Sequence, residues 1–329
     1  MAIVQNHLRT PKSSSPGSRI RSIGAYRPSV VVDNDALSAE IGPPVDDAWI
    51  RQRVGISTRG FGTDDETVVA MATAAAGSAI RNVDARPGEI DGVILATCSQ
   101  PSPIPNGAAS VAAMLDIPEA AAFDINAGCS GFCYALAVAD CLIRCATAEQ
   151  VLVIGAERLR DWTDPSDPIT APVFADGAGA VLVTSSSGTD IGPVVWGSDG
   201  SGAELIRVPA WQRRITMRGR EVYQWAVTEL VDVAVQACAK AGVKVDEVDV
   251  FVPHQANTRM IDRLTRSIGI RRDAVVARDI SSSGNTSSAS IPLALDRLTA
   301  EYPTVAGSLA LLLGFGAGLT YAAQVVRLP

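Results

Sequence analysis

The sequence has few aromatic residues, only two histidines and no excess of basic residues. Aromatic side chains make up 5% of its 329 residues although 47% are hydrophobic, so the apolar content comes mainly from Ala, Val, Ile and Leu. Small aliphatic residues together with 28 glycines are typical of layered sheets covered by closely packed helices. The composition therefore predicts an α/β protein.

Missing features also limit the partners and the location of the protein. The 28 basic residues are outnumbered by 35 acidic ones, and this balance argues against a general nucleic-acid binder. No apolar run approaches the roughly 20 residues of a membrane span. Residues 1–18 are rich in Ser and Pro and lack the features of a secretory signal, so we predict a flexible tail there. We expect a soluble, cytoplasmic protein that binds neither membranes nor nucleic acid.

The sequence also lacks the motifs of common cofactor sites. Six cysteines in a chain without an export signal predict reduced thiols rather than disulfides. No histidine lies near the pairs Cys129/Cys133 and Cys141/Cys145, so we predict no zinc site. Neither a strand-GxGxxG-helix arrangement nor GxxxxGK[ST] is present, which excludes the usual dinucleotide and nucleoside triphosphate motifs. We predict no cofactor and no metal.

The two halves of the chain resemble each other in three ordered segments. EIDGVILATC is echoed by EVDVFVPHQA, LVIGAE by LLLGFG, and Asp124-Ile125 by Asp279-Ile280. This similarity indicates duplication of a unit of about 150 residues. Beyond the tail, we predict an N-terminal half over 19–185 and a C-terminal half over 186–329. Ligand sites favour the carboxyl ends of strands, so we expect the site where the halves meet.

Cys129 is the first candidate for chemistry. It follows the strand-like FDIN and precedes SGFCYALAVADCLI, which has helical apolar spacing. A cysteine at a helix N-terminus is exposed to unpaired N–H groups and the positive end of the dipole, so we predict a lowered pKa. The later cysteines of this helix, Cys133, Cys141 and Cys145, are interpreted as structural.

His254 and Asn285 are the partners that the second half offers. His7 lies in the predicted tail, so His254, on a strand-to-helix turn after VDVFVP, is the only useful imidazole. Asn285 occupies the counterpart of Cys129 in the duplicated segment SSSGNTSSAS. Near the end of the chain, LLLGFGAGLTYAA supplies glycines where the backbone can approach a ligand closely.

Five motifs together give a specific resemblance. DINAGCSGF, FADGAGAVLV, VFVPHQANTRMID, GNTSSASIPLAL and GFGAGLTYAAQ resemble ketoacyl-ACP synthase III, especially actinobacterial members that include primers of aromatic polyketides. The resemblance implies a thiolase-like fold, an internally duplicated five-layered αβαβα architecture that forms a homodimer. It also implies transfer of a short acyl group from acyl-CoA to a cysteine, then decarboxylative condensation with malonyl-ACP, the reaction that initiates fatty acid biosynthesis.

The resemblance assigns roles at the reaction centre. Cys129 would be the nucleophile, while His254 and Asn285 would hydrogen-bond the malonyl thioester carbonyl and stabilise the enolate. The backbone N–H groups of Cys129 and Ala317 would form a second oxyanion site.

The same resemblance assigns binding residues. Ile104 and Phe315 match the acyl pocket, with Ile104 reaching the partner subunit, and an aliphatic Ile104 suggests room for more than acetyl. Trp49 and Arg53 match the CoA tunnel, with the indole stacking on adenine. Relatives usually have Arg where this chain has Pro168, and proline supplies no cation–π contact, so the donor carrier stays open between CoA and ACP.

A basic stripe on the helix after His254 implies a protein partner. Arg259 matches a position that meets the phosphopantetheine carrier, and Arg263 and Arg266 extend the stripe toward an acidic acyl carrier protein. For Arg263 and Arg266, an ordinary solvated helix face is the alternative interpretation.

Other functions remain as alternatives. A polyketide starter-unit condensing enzyme or acyltransferase of the same fold is the nearest, although Asn285 favours condensation over simple transfer. A cysteine peptidase shares the Cys-His-Asn order but not the local CGSCW pattern. A degradative thiolase would carry a second cysteine in the closing Gly-rich motif, and a non-catalytic binding module ranks last.

Overall fold

A computed structural model of the chain describes residues 17–209, 212 and 214–329. Within these ranges, strands and helices alternate as the sequence predicts. The strands are β1 (Gly17–Tyr26), β2 (Val30–Asp33), β3 (Thr58–Phe61), β4 (Gly92–Ala96), β5 (Ala121–Ile125), β6 (Gln150–Arg158), β7 (Asp176–Ser186), β8 (Val195–Ser198), β9 (Ile206–Arg207), β10 (Thr216–Met217), β11 (Val250–Pro253), β12 (Val275–Val276), β13 (Leu309–Gly316) and β14 (Thr320–Arg327). The α-helices are α1 (Asn34–Ile41), α2 (Asp47–Arg53), α3 (Val68–Arg81), α4 (Gly107–Met114), α5 (Gly131–Arg144), α6 (Gly219–Lys240), α7 (Thr258–Ile268), α8 (Ile280–Ser283) and α9 (Ser290–Glu301).

Two five-stranded sheets repeat one topology. The first has the order β1-β7-β6-β4-β5 and the second β8-β14-β13-β11-β12. In both sheets the first two neighbouring pairs are antiparallel and the last two are parallel. This equivalence confirms the duplication.

The sheets and helices form the five layers of the αβαβα architecture. Helices α5 and α9 share one buried cluster with strands of both sheets and so form the central layer. Helices α3 and α4 pack with strands of the first sheet, and α6 and α7 with strands of the second. Since both faces of each sheet are covered, the central strands are continuous apolar runs.

Small residues bring the layers close together, as the composition predicts. A Cβ on Gly24 of β1 would lie 2.3 Å from the Ala75 carbonyl oxygen in α3. At this position a larger side chain would force the helix away from the sheet.

The predicted tail is wrong at its boundary. Residues 1–16 lie outside the described part, but Gly17 and Ser18 belong to β1 and pair with Ser186 and Ser185 of β7. The buried Ser18 hydroxyl donates to Asp140 over 2.6 Å. Pairing with β7 therefore places Gly17 and Ser18 in a strand, which their composition does not predict.

The boundary between the halves lies near the end of β7. Described strands of the first sheet come from residues 17–186, and those of the second from 195–327. We retain the division after Ser185 as a proposal. None of the helices in the described ranges combines the length and apolar character needed to cross a bilayer.

A smaller unit covers the seam between the halves. The β2-β3 hairpin, α1 and α2 share a fourth buried cluster that includes Leu159, Val173 and Ile280. Arg59 is fully buried beneath it and donates to Asn34 Oδ1 over 2.8 Å and to the Pro172 carbonyl over 3.2 Å. This unit forms one wall of the cavity described next.

Candidate active site

A large cavity in the described part of the chain brings the predicted reaction centre together. It encloses about 1250 Å³, and its lining includes Cys129, His254, Asn285 and Phe315. Cys129 comes from the first half and the other three residues from the second, so the cavity lies at the predicted seam.

A tight turn between β5 and α5 presents Cys129. Gly128 has a φ of 53°, a left-handed conformation that favours glycine. The N–H groups of Ser130 and Gly131 donate to the carbonyls of Ala127 and Gly128 over 3.2 and 3.0 Å. The turn therefore holds the thiol at the start of α5, as the sequence predicts.

The predicted low pKa of Cys129 is wrong for the free protein. Burial raises the pKa of this thiol to about 12, against an opposing hydrogen bond from Ser287. The negative charge of Glu157 adds to the increase. Desolvation therefore outweighs the helix N-terminus, and the resting cysteine is a neutral thiol at pH 7.

His254 is held as a neutral imidazole. It is 2% exposed, and burial lowers its pKa to about 3. Its Nδ1 lies 2.7 Å from Ser290 Oγ, which also accepts the Gln255 backbone N–H over 3.3 Å. We assign the Ser290 hydroxyl as the donor to His254 Nδ1. This assignment places the ring proton on Nε2, the nitrogen that Ser290 does not contact.

Neighbouring residues fix the His254 ring and its strand end. The Phe315 ring meets the imidazole edge-on, with centroids 5.1 Å apart. The side chain of Gln255 donates to the Pro253 carbonyl over 2.7 Å and accepts the Ile280 N–H over 3.1 Å. Since Gln255 is fully buried, these bonds hold the turn after β11 rigid.

Asn285 is anchored through its backbone and its amide oxygen. Its N–H donates to the Val173 carbonyl and its carbonyl accepts the Ala175 N–H, both over 2.9 Å. Its Oδ1 accepts the Ser287 N–H over 2.9 Å. With the amide oxygen occupied, Nδ2 is the group that Asn285 offers to the cavity.

The closing Gly-rich segment lies directly against the nucleophile turn. A Cβ on Gly316 would lie 2.6 Å from the Cys129 nitrogen, and one on Gly128 would lie 3.1 Å from the Ala317 nitrogen. The two backbones can approach this closely only because both positions are glycine. The structure thereby brings Ala317, which lines the cavity, beside Cys129.

Several arginine side chains lie at the mouth of the cavity. Arg53, Arg207, Arg220 and Arg259 all line it, and within the described ranges only Arg207 is ion-paired, with its neighbour Glu204.

Some of the other predicted binding residues line the cavity and some do not. Trp49 and Pro168 also line the cavity, and the Arg53 guanidinium carbon lies 4.3 Å from the centroid of the Trp49 ring. Arg263 and Arg266 are exposed on α7 and do not belong to the lining. Ile104 is 83% exposed and lies outside the lining of its own chain's cavity.

Sequence reasoning missed three polar groups behind the cysteine. Glu157 is completely buried at the end of β6, and Ser287 and Cys98 lie beside it. In the duplicated segments, LVIGAE places this acid where LLLGFG has Gly316. An acidic residue closing an otherwise apolar strand was the available signal. All six cysteines are free, and the described residues contain no group of three or more His, Cys, Asp or Glu that could hold a metal.

The fold is that of the thiolase-fold condensing enzymes, a class of acyltransferases, and comparison with known proteins agrees. The 3-oxoacyl-[acyl-carrier-protein (ACP)] synthase III model matches residues 123–200, and the model of its C-terminal region matches 238–328. The beta-ketoacyl-[acyl-carrier-protein] synthase III of Streptomyces glaucescens is 46% identical over 97% of this chain and 98% of that protein. The mycobacterial enzyme of Mycobacterium marinum is 47% identical over 94% and 95%.

Solved structures give the same result. The priming beta-ketosynthase of the R1128 polyketide pathway has a TM-score of 0.94 at 38% identity and covers 98% of each chain. The synthase III of Aquifex aeolicus has a TM-score of 0.90 at 39% identity, covering 94% of this chain and 100% of that one. The chain belongs to the beta-ketoacyl-ACP synthase III family, of the actinobacterial type, and the peptidase alternative is discarded.

Proposed function

We propose that this enzyme transfers an acyl group from acyl-CoA to Cys129 and condenses it with malonyl-ACP, releasing carbon dioxide and forming 3-oxoacyl-ACP. The observation that carries the proposal is the convergence of the Cys129 thiol and two neutral donors, His254 and Asn285, on one cavity. This constellation suits two successive reactions of thioesters on a single cysteine.

The two donors are suited to the condensation step. When carbon dioxide leaves the malonyl group, negative charge develops on the thioester oxygen as the enolate forms. His254 Nε2–H and Asn285 Nδ2–H are neutral donors in a buried site, where such hydrogen bonds stabilise the charge most. The enolate carbon then attacks the acyl-Cys129 thioester. The N–H groups of Cys129 and Ala317 receive the second oxyanion.

The mouth of the cavity is suited to phosphorylated carriers. Arg53 and Arg259, unpaired within the described ranges, offer charge to the phosphates of CoA and of phosphopantetheine. We assign Trp49 to the adenine and the exposed stripe of Arg259, Arg263 and Arg266 to the acidic carrier protein. No resident cofactor or metal takes part in this proposal, and we place the enzyme in the cytoplasm.

We further propose a homodimer paired through β5. This strand is an edge of the first sheet, and unpaired edges favour strand addition from a second chain. The exposed Ile104 and Met114 both lie in the segment that leads from β4 to this strand. Pairing at this edge would cover these side chains. It would also bring Ile104 of one subunit to the acyl pocket of its partner, where Phe315 lies. Sedimentation should give twice the 34.3 kDa chain mass.

Intact-mass analysis after incubation with acyl-CoAs tests the main proposal. We expect an acyl adduct that peptide mapping assigns to Cys129, and mapping is needed because Cys98 lines the same cavity. A Cys129→Ser variant should lose the adduct, whereas Cys98→Ser should keep it. His254→Ala and Asn285→Ala should acylate but release little carbon dioxide from malonyl-ACP. Absence of any adduct with CoA or ACP donors would refute the mechanism.

A second candidate is the priming of a polyketide, which the structural similarity to the R1128 priming ketosynthase favours. The chemistry is the same, but the acceptor is the carrier protein of a polyketide synthase. Parallel condensation assays with carrier proteins of both pathways, using acetyl and longer acyl donors, distinguish the two. A preference of kcat/KM for the polyketide carrier would favour priming.

A further inference from the structure

The side chain of Glu157 bridges the two halves of the chain behind the cavity. Glu157 is 0% exposed, and its two oxygens face different segments. Oε2 accepts the hydroxyl of Ser99 over 2.5 Å and that of Thr97 over 3.2 Å, both of which follow β4 in the first half. Oε1 accepts the hydroxyl of Ser287 over 3.0 Å and that of Ser288 over 2.8 Å, both in the second half. One carboxyl group therefore connects the halves across the seam.

The bonds to Oε1 hold the segment that carries Asn285. This residue lies two positions before Ser287, and its Oδ1 accepts the Ser287 backbone N–H over 2.9 Å. Ser287 is thus held at two points, through its N–H by Asn285 and through its hydroxyl by Glu157. Because the first bond occupies Oδ1, it leaves Nδ2 as the group that faces the cavity. The direction of the Asn285 amide therefore depends on the position of Ser287.

The backbone of Ser287 is strained in this position. Its φ is 49°, in the left-handed region that non-glycine residues seldom occupy. Ser288 also contacts Glu157 but has no positive φ, so contact with the carboxyl group does not by itself require this conformation. Strained conformations persist only where the surrounding structure holds them, and they are concentrated at functional sites. In this one, the N–H reaches Asn285 and the hydroxyl reaches Glu157 at the same time.

The same segment packs directly on β6, the strand that ends near Glu157. A Cβ on Gly155 would lie 2.4 Å from the Ser288 carbonyl oxygen. This backbone contact fixes how far the segment lies from the strand, but it has no preferred direction for a side chain. Hydrogen bonds are directional, so the bond to Glu157 is the contact that determines the orientation of Ser287.

We propose that Glu157 is a positioning residue for Asn285: by holding Ser287 in its left-handed conformation, it aims the Asn285 amide at the oxygen of the malonyl thioester. The inference rests on the proposed function, in which Asn285 serves the condensation half-reaction. Acylation of Cys129 does not use this amide. The two half-reactions therefore distinguish a positioning role from a general contribution to folding.

Two substitutions of Ser287 separate its hydroxyl from its strain. Ser287→Ala removes the hydroxyl and keeps a side chain that disfavours positive φ, whereas Ser287→Gly removes both, because glycine adopts positive φ readily. Glu157→Met keeps the length of the side chain and removes both oxygens. Thr97→Val is the matched control, since it removes a donor to Oε2, on the side of the carboxyl group that faces away from Asn285.

Carbon dioxide release from malonyl-ACP and single-turnover acylation by acetyl-CoA are measured for each variant. In Ser287→Ala and Glu157→Met, we expect kcat for carbon dioxide release to fall about 10- to 100-fold, somewhat less than for complete loss of an oxyanion donor. KM for malonyl-ACP should not change, because the amide acts on charge that develops in the transition state. Acylation should fall by no more than about three-fold, and Thr97→Val should stay within about three-fold in both assays.

Ser287→Gly should recover most of the carbon dioxide release that Ser287→Ala loses. Adding Glu157→Met to Ser287→Gly should cost no more than about three-fold further, because the hydroxyl that couples the two residues is already gone.

Several results would overturn the positioning role. These are unchanged carbon dioxide release in Ser287→Ala, equal losses in its two half-reactions, equal rates in the alanine and glycine variants, or a loss in Thr97→Val as large as in Glu157→Met. If Glu157→Met does not fold, the two Ser287 variants decide alone. Failure of the wild type to release carbon dioxide from malonyl-ACP would instead contradict the proposed function.

Discussion

Replacing Ser290 with alanine tests the tautomer assigned to His254. Ser290 Oγ lies 2.7 Å from His254 Nδ1 and accepts the Gln255 N–H over 3.3 Å. Ser290 itself is 1% exposed, so no water takes its place freely. A buried group that loses its hydrogen-bond partner costs about 1–3 kcal/mol. If that energy normally holds the ring proton on Nε2, its loss should slow decarboxylation by about 5- to 150-fold, at about 1.4 kcal/mol per factor of ten.

The assay compares the two half-reactions of the same variant. Carbon dioxide release from malonyl-ACP should fall in Ser290→Ala, whereas acylation of Cys129 by acetyl-CoA should stay within about two-fold of wild type, because only the first uses the His254 donor. Ser290→Thr retains the hydroxyl and is the control. The tautomer argument is refuted if both half-reactions fall together, or if decarboxylation is unchanged in a folded alanine variant.

Three further predictions follow from the site. His254 has a pKa of about 3 in the folded protein and about 6.5 when unfolded, so its contribution to stability is present above pH 6.5 and is lost as pH falls toward 3. Between pH 7 and 5, the free energy of unfolding in urea should therefore fall by about 2 kcal/mol more in wild type than in His254→Gln. An equal fall in both proteins would contradict the burial argument. Pro168→Arg adds a cation at the cavity mouth. A cation–π contact of about 0.5–2 kcal/mol between this cation and the adenine should lower KM for acyl-CoA by about 2- to 30-fold, whereas KM for an acyl-ACP donor should not change. Equal effects on both donors would exclude adenine stacking. Gly316→Ala would place a Cβ 2.6 Å from the Cys129 nitrogen and should abolish acylation, whereas Gly88→Ala, with open space around its Cβ, should retain it; full activity in Gly316→Ala would disprove the close packing.

The duplication and the reaction centre can be predicted from the sequence because both depend on local pattern. Apolar strands in two ordered sets predict two equivalent sheets. Packing of these sheets against each other brings the residues that follow their carboxyl ends, Cys129 and His254, to one site. Asn285 was found by its position in the repeat. These inferences needed only the spacing of apolar residues and the direction of parallel strands.

Other features depend on contacts between distant segments. The pKa of Cys129 was predicted from its helix terminus alone, whereas burial by residues of both halves determines it. The donors around Glu157 come from positions 97–99 and 287–288, which no local pattern connects. The strand at Gly17 and Ser18 was missed because its signal is pairing with β7, not composition.

The burial of the Glu157 carboxyl group has a consequence for which starter units the enzyme accepts. A carboxylate on an acyl group would lie near this buried anion, and two like charges about 6 Å apart at an effective dielectric constant of about 20 repel by roughly 3 kcal/mol. At that separation, the repulsion would slow the loading of dicarboxylic thioesters on Cys129 about 100-fold. We therefore expect malonyl-CoA to leave little adduct on Cys129 under conditions in which acetyl-CoA acylates it, so that the charge of the extender, and not only its size, would keep it from acting as the primer.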